Sequence, residues 1–300
     1  MISESALLEA CHFPPRGDAV APAVSGGPDS LGLALLARVA GLRIWLHHVD
    51  HHARPTSGED AAFVVDLARE WEVPVSVHDV HVAPGANFEA RARAARRAAL
   101  PEGALTGHTL DDLAETVLLN LLRGSGLDGL SPMVGDPTKP LVDVRRRDLH
   151  DYVTARGYVA RHDETNLDGR FRRNRVRHEV VPLLEDVAQR DVAPLLARAA
   201  HLVYDERRWI AEITAADEAI TLEDADCRVL ATWPVARLRR WLRVRLARED
   251  PDGRHPPDAA EVERALAVVR GDALATELAG GRRLARRHQR LILDGATPLR

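Results

Sequence analysis

The sequence predicts an α/β protein: a parallel β-sheet with helices on both faces, followed by a smaller, mainly helical α+β domain. Three observations predict it. From Ala19 to about Leu122 short apolar runs alternate with helical patterns, as βαβ units around a parallel sheet require. The first strand runs into a helix through a Gly- and Ser-rich turn, Ser25–Ser30. From about Asp191 the alternation stops and the pattern turns helical. A chain of 300 residues that is 45% hydrophobic can bury a substantial core, and the domains are placed at residues 1–190, a helical linker at 191–221, and a C-terminal domain at 222–300.

In order, the first domain reads as strand Val20–Val24, a helix with Leu31, Leu35, Val39 and Leu42 at helical spacing, strand Leu42–Val49, helix Gly58–Trp71, strand Val73–Val80, helix Asn87–Leu100, strand Ala104–Gly107 and helix Leu110–Leu122. The pattern is Rossmann-like, and right-handed crossovers place its functional loops at the carboxyl ends of the strands. Pro22 stands inside the first strand, where it removes a ladder hydrogen bond. Further on, Leu195, Leu196, Leu202, Trp209 and Ile213 are spaced for one long packed helix, and Trp233–Leu246 and Ala259–Val269 read as helices of the C-terminal domain.

Composition excludes several classes. The N-terminus lacks a basic segment followed by an apolar run, and no apolar stretch approaches bilayer length, so a cytoplasmic protein without membrane contact is expected. The two cysteines, Cys11 and Cys227, are far apart, which argues against a disulfide scaffold, a zinc knuckle or a cysteine relay. A net charge of −4 gives no global case for nucleic acid, so any such case must be local.

The turn Ser25-Gly26-Gly27-Pro28-Asp29-Ser30 aims backbone N–H groups and a helix N-terminus at whatever lies before it, and both favour an anion. Gly26 and Gly27 admit close approach, Ser25 and Ser30 add hydroxyls, and Asp29 suits a phosphate-bound Mg²⁺. The Gly-Lys-Ser/Thr ending of a Walker A loop is missing. A metal nucleotide without the usual β,γ-phosphate cradle is the reading.

Further stretches stand at later strand ends. His47-His48-Val49-Asp50-His51-His52 matches no familiar metal-ligand spacing, and its first two histidines point to opposite faces of a strand. Asn87–Arg97 offers an N-cap, then Glu89 and Arg93 one turn apart, which by itself is an ordinary surface pairing. In Thr106–Thr116, helix capping explains one of Asp111 and Asp112, but His108, Asp112 and Glu115 recur at three- and four-residue steps facing the crevice of the Ser25–Ser30 turn. Arg145, Arg146 and Arg147 at a helix start read as a solvated face. Five arginines between Arg170 and Arg177 make the strongest local positive field, suited to phosphate contacts, with a salt-bridged loop facing Glu164 and Glu179 as the alternative. The arginines of Arg282–Leu293 could equally meet RNA phosphates or coat a strand edge.

These motifs carry a resemblance. Ser-Gly-Gly-x-Asp-Ser resembles the PP-loop of the N-type ATP pyrophosphatases, which cut ATP between its α and β phosphates. His48-Val49-Asp50-His51, Glu89–Arg97, Gly107-His108-x-x-Asp111-Asp112-x-x-Glu115-Thr116 followed by Arg123-Gly124-Ser125-Gly126, and Asp163-x-Thr165-Asn166 with Arg173-Asn174 and Arg177 resemble, in order, the tRNA(Ile)-lysidine synthases from about Val20 to Leu184. Arg97 replaces a family tyrosine, and Thr109 stands where some members have a second histidine.

The resemblance implies a ligase that joins the ε-amine of free L-lysine to C2 of the wobble cytidine in the CAU isoleucine tRNA precursor, changing codon specificity from AUG to AUA. It implies adenylation of the cytidine by ATP with release of pyrophosphate, then displacement of AMP by lysine. It implies ATP contacts by Ser25, Gly26, Gly27, Pro28, Asp29, Ser30, Asp50 and His51. Asp29, His108, Asp112 and Glu115 become the catalytic set, with Asp29 and Asp112 holding Mg²⁺. Arg93 is the candidate for the lysine carboxylate, and Arg173, Asn174 and Arg177 for tRNA, with the C-terminal domain as a further tRNA contact and a homodimer as a compatible state. The alternatives are another PP-loop tRNA-modifying enzyme of thiolase type, against which the cysteine count speaks, and a non-catalytic ATP- or tRNA-binding module.

Overall fold

Pro22 sits where two strand pairings of the parallel sheet meet, and the sheet is built around it. Ala19–Val20 (β1) pairs with Arg43–Ile44 (β2), and Leu46–Asp50 (β3) with Val75–Asp79 (β4), all parallel. Parallel bridges Pro22↔Leu105 and Ala23↔His47 join these pairs and add the segment around Leu105. The order across the sheet is therefore the Leu105 segment, residues 19–24, residues 43–50 and residues 75–79. With no N–H at Pro22 one rung is lost, and the second segment divides at Trp45 into β2 and β3. The ladder resumes at once, because the Pro22 carbonyl accepts from His47 N at 2.9 Å and Val24 N donates to the His47 carbonyl at 2.7 Å. Pro22 interrupts the strand without ending it.

The computed structural model describes residues 2–50, 52, 57–81, 88–161, 171–250 and 257–295, in two compact units, Met1–Arg207 and Arg208–Arg300. The first unit carries helices α1 (Glu4–Glu9), α2 (Pro28–Val39), α3 (Ser57–Glu70), α4 (Phe88–Ala99), α5 (Leu110–Leu121), α6 (Leu127–Leu130), α7 (Arg146–Ala155), α8 (Arg172–Arg175), α9 (Val181–Ala188) and most of α10 (Ala193–Ile213). Helix α2 is buried from Ser30 to Ala37, which is why its sequence is apolar almost all round. Its Gly32 is a close-approach position: a Cβ there would lie 2.5 Å from Leu149 Cδ1 of α7. Among the described residues no helix is long and apolar enough to cross a membrane.

The division of the chain falls inside α10, within the helical segment 191–221. The long helix forms as its spacing predicts, but only the first part of the predicted apolar stripe packs: Leu195 and Leu196 are half-buried, and Leu196 lies against the cluster of Leu113 and Val117. Leu202, Trp209 and Ile213 are more than half exposed, and the buried positions are Ala193, Ala197 and Ala200. Small residues let the helix lie close to its neighbours, and the larger apolar ones take the outer face.

The second unit holds α11 (Cys227–Leu230), α12 (Val235–Arg248), α13 (Ala259–Arg270) and the antiparallel sheet β5 (Ala275–Leu278), β6 (Arg282–Arg287) and β7 (Arg290–Asp294). Helix α13 opens on a reciprocal Asp258–Glu261 capping box and closes on Gly271 at φ 88°. The β6–β7 hairpin turns through His288 and Gln289, both at positive φ, as a two-residue turn requires. The arginine-rich β6 is the middle strand, not an edge, and Arg282 is buried, donating to the Leu246 and Ala279 carbonyls.

Candidate active site

The Ser25–Ser30 loop, Asp50 and the Thr106–Thr116 segment lie at the carboxyl ends of parallel strands, whereas Arg146, Arg173, Asn174 and Arg177 come from helices later in the chain. In the Ser25–Ser30 loop, Ser30 Oγ accepts from Ser25 N at 3.0 Å, lies 3.1 Å from Ser25 Oγ and donates to the Gly27 carbonyl at 3.0 Å. The two hydroxyls thus shape the loop from within. Gly26 adopts φ 89°, a conformation that favours glycine, and its carbonyl accepts from Arg161 N at 2.9 Å. Gly27 caps α2 without a side-chain hydrogen bond, so the first-turn N–H groups of α2 are not taken by a capping side chain. A second strand end closes against this entrance: a Cβ on Gly107 would stand 2.7 Å from the Asp29 carbonyl oxygen. Only glycine allows the approach.

Asp112 serves first as a helix cap. Its Oδ2 accepts from Thr109 N at 2.8 Å and Thr109 Oγ1 at 2.9 Å, while Thr109 Oγ1 accepts from Asp112 N at 3.4 Å. Its other oxygen, Oδ1, meets Arg146 Nη2 at 2.7 Å and Arg173 Nη2 at 2.9 Å. Glu115, one turn on and buried, accepts from Arg146 Nη1 at 2.9 Å, Arg173 Nε at 2.9 Å and Arg177 Nε at 2.7 Å. Three guanidinium groups thus converge on two carboxylates. Burial pushes the Asp112 pKa up, but Arg146, Arg173, the Thr109 N–H and His108 outweigh it, and the net shift is well downward. Arg146 answers in kind: burial lowers its pKa, Asp112, Glu115, Asp29 and Asp111 raise it, and it stays charged.

The local backbone explains how the arginines reach inward. Arg173 and Arg177 lie four residues apart on a continuous helical run from α8 to α9, which contains a π-turn at Val176–Val180. Pro182 has no N–H for the His178 carbonyl, and Val181 N bonds instead to the Val176 carbonyl, five residues back. Asn174 is buried between them in sequence. Glu179 pairs with Arg175, so of the expected surface loop that one pair is present, while Glu164 lies outside the described residues.

The arginines at the start of α7 correct a sequence expectation. Arg147 alone is solvated, at 68% side-chain exposure, while Arg145 and Arg146 are 16% and 15% exposed. Asp111 accepts from Arg145 Nε at 3.2 Å and from Arg146 N at 2.7 Å, and Arg145 also reaches Asp191 at 2.5 Å. Cations oppose the helix dipole at an N-terminus, so an arginine run there is itself a signal that carboxylates wait nearby. From the same helix, His150 Nε2 lies 2.8 Å from Asp29 Oδ1, a contact for which the sequence offers no sign.

His108 Nδ1 lies 2.8 Å from Thr106 Oγ1, beside the capping box. Asp50 is buried at the end of β3 and accepts from His52 N at 2.8 Å. Burial raises its pKa, but that N–H, the Ser57 hydroxyl, His52 and His48 more than offset this and lower it. His51 lies outside the described residues, as does the side chain of Arg93, whose backbone belongs to α4. The rings of His47 and His48 diverge as strand alternation requires: His47 Nδ1 lies 2.9 Å from His78 Nε2, and His48 Nδ1 2.8 Å from the Val24 carbonyl. Asp50, His52 and Asp79 bring ligand atoms within 4.8 Å of one another, but His52 Nε2 already bonds Asp79 at 3.0 Å. That group reads as a polar clasp between β3 and β4.

A hard cation such as Mg²⁺ prefers carboxylate oxygens. Asp29 fits: its side chain is a third exposed at the mouth of α2 and, among the described residues, is held at hydrogen-bond distance by His150 alone. Asp112 fits only if guanidinium groups leave Oδ1, since Oδ2 is committed to the cap.

Residues 4–184 match the model of a PP-loop domain family. The chain is 37% identical over 320 residues to the tRNA(Ile)-lysidine synthase of Thermobifida fusca, covering 97% of this chain and 96% of that protein. It is 38% identical over 283 residues to that of Nocardia farcinica, covering 90% and 85%. Against that of Symbiobacterium thermophilum it is 38% identical over 293 residues, covering 84% of this chain and 60% of the relative, so it spans less than two thirds of that protein. Among solved structures, the U34-tRNA thiolase NcsA of Methanococcus maripaludis, with its 4Fe-4S cluster, matches at a TM-score of 0.53 and 16% identity, covering 67% of this chain and 78% of that one. At that identity the likeness speaks for the fold alone.

Proposed function

The chain belongs to the PP-loop family and, within it, to the tRNA(Ile)-lysidine synthases, and from that premise we propose that it ligates free L-lysine to C2 of the wobble cytidine in the CAU isoleucine tRNA, converting ATP to AMP and pyrophosphate. One observation supports this most: the Ser25–Ser30 loop and the Asp112–Glu115 pair, two separate family motifs, are joined through Arg146. The reaction needs such a junction, because phosphate chemistry and amine attack occur on one nucleotide.

In this reading the cytidine C2 oxygen attacks the α-phosphate and pyrophosphate departs along the Ser25–Ser30 loop and the α2 N-terminus. Mg²⁺ bound at Asp29 would neutralise charge developing on the phosphates, and Asp112 joins it only after releasing its arginines. The lysine ε-ammonium then meets Asp112 and Glu115, which attract it and assist loss of its proton beside His108. The amine bonds to C2 and AMP leaves with the C2 oxygen. Asp112 held in the arginine cluster, with its pKa lowered, is a weak base but a strong electrostatic anchor. Asp50 and His51 border the nucleotide, Arg93 is assigned the lysine carboxylate, and Arg173, Asn174 and Arg177 meet tRNA after the cluster opens.

The thiolase alternative gains nothing from the cysteines. Burial pushes the Cys11 thiol up to about 12 and also raises Cys227, so neither offers a thiolate near neutral pH. The test is incubation with ATP, lysine and CAU isoleucine tRNA, followed by nucleoside mass spectrometry. Lysine-modified cytidine is expected. Pyrophosphate release that needs tRNA but ignores lysine would favour another PP-loop enzyme, and no turnover would favour a binding module.

A further inference from the structure

Among the described residues, Arg146 alone reaches all three candidate carboxylates of the crevice. Its Nη2 lies 2.7 Å from Asp112 Oδ1, its Nη1 2.9 Å from Glu115 Oε1 and its Nε 3.7 Å from Asp29 Oδ2. The backbone at Arg146 is fixed, since its N–H donates to Asp111 at 2.7 Å. The side chain is less settled: Nε is buried and makes no hydrogen bond, and a buried donor left unsatisfied carries a desolvation cost.

The carboxylates, by contrast, are saturated. Asp112 Oδ1 carries Arg146 and Arg173, Glu115 Oε1 carries Arg146 and Arg177, and Glu115 Oε2 carries Arg173 at 2.9 Å and Arg177 at 3.2 Å. An ammonium ion arriving at this pair finds each of these oxygens already facing a guanidinium. A polyphosphate beside Asp29 offers guanidinium groups several strong acceptors in bidentate geometry, and Arg146 is the cluster member that already reaches Asp29.

We propose that Arg146 is a positioning residue that makes lysine binding conditional on bound nucleotide. It shares Asp112 Oδ1 with Arg173 and Glu115 Oε1 with Arg177 in the empty site, turns its guanidinium to the phosphates when ATP fills the loop, and so leaves each of these oxygens with one guanidinium instead of two and a place for the ammonium group. The inference rests on the lysidine synthase reading and adds an order of binding to it.

Isothermal titration of L-lysine into the full chain, with and without the α,β-methylene analogue of ATP and Mg²⁺, tests it without turnover. For the wild type the analogue is expected to tighten lysine binding about tenfold, a usual size for coupling between two sites. In Arg146→Ala that ratio is expected to fall to about one, because the place that Arg146 vacates on nucleotide binding is already free. Arg146→Lys keeps a positive charge in the cluster and therefore the fold, but its single ammonium cannot span three carboxylates, so its ratio is expected below about threefold. A merely structural arginine would lower the melting temperature and leave the ratio untouched. A wild-type ratio in either folded variant, or a wild-type ratio of one, overturns the proposal. Absence of lysine binding to the nucleotide-loaded wild type instead overturns the lysidine synthase reading, and the proposal with it.

Discussion

Two regions of the molecule are rich in arginine and use it differently. In the first unit, Arg146, Arg173 and Arg177 converge on Asp112 and Glu115, whose side chains are 11% and 3% exposed. In the second, Arg228, Arg239 and Arg248 each meet one acid, Asp226, Glu263 and Glu218, at or near the surface. Arg237 comes nearest to the first pattern, forking onto the buried Asp217 and stacking on Trp233 at 3.9 Å, but it too is one cation on one acid. Arginine content does not distinguish the two regions. Sharing does: a carboxylate held by several cations out of water is costly to disturb, whereas an exposed pair is screened by solvent.

That contrast breaks most visibly at Glu115. Glu115→Ala strands three guanidinium groups without their shared partner, and urea unfolding should show a loss of about 3–5 kcal/mol, as for a broken buried pair. A loss no larger than that of Glu263→Ala would show that water already screens the cluster. Asp112→Asn keeps an amide oxygen for the cap but removes the charge. Lysine transfer to tRNA is expected to fall about 100-fold, and a wild-type rate would remove Asp112 from the chemistry. Gly107→Ala probes the loop entrance, where the added Cβ meets the Asp29 carbonyl at 2.7 Å. The expected cost is about 1–3 kcal/mol of overpacking, accompanied by weaker ATP binding in equilibrium dialysis.

Acid gives a smaller and graded effect. Asp112 has a folded pKa well below the usual aspartate value of about 3.9, so the unfolded chain takes up its proton first as pH falls. Its contribution to stability is complete above that value and declines below it, as pH drops toward the folded pKa. Unfolding midpoints of wild type and Asp112→Asn should therefore approach each other only below about pH 4. The smallest effect belongs to the other region: Arg239→Ala should leave both the melting temperature and lysine transfer unchanged, since both it and Glu263 are about half exposed.

Much of the first unit was legible because periodicity reports burial. The parallel strands, their order of appearance and helices α2, α3 and α5 all follow from apolar spacing, and a capping role for one of Asp111 and Asp112 follows from the helix dipole, although its Thr109 partner does not. What stayed hidden was side-chain direction. Arg146 and His150 reach the crevice from α7, whose charged residues look solvated in one dimension because their partners are 31 to 121 positions away. In α10 the larger apolar residues drew the eye, although alanines form the buried face. Spacing located the helix there, and neighbour size decided its orientation.

In the proposed mechanism the arginine-clamped carboxylates, and not the surface pairs, serve the reaction. Transfer of labelled lysine into CAU isoleucine tRNA by the wild type, Glu115→Gln and Glu263→Gln tests it side by side. Stoichiometric labelling is expected from the wild type and from Glu263→Gln, with Glu115→Gln about 100-fold slower. Equal rates for the two variants, or no labelling by the wild type, would contradict it.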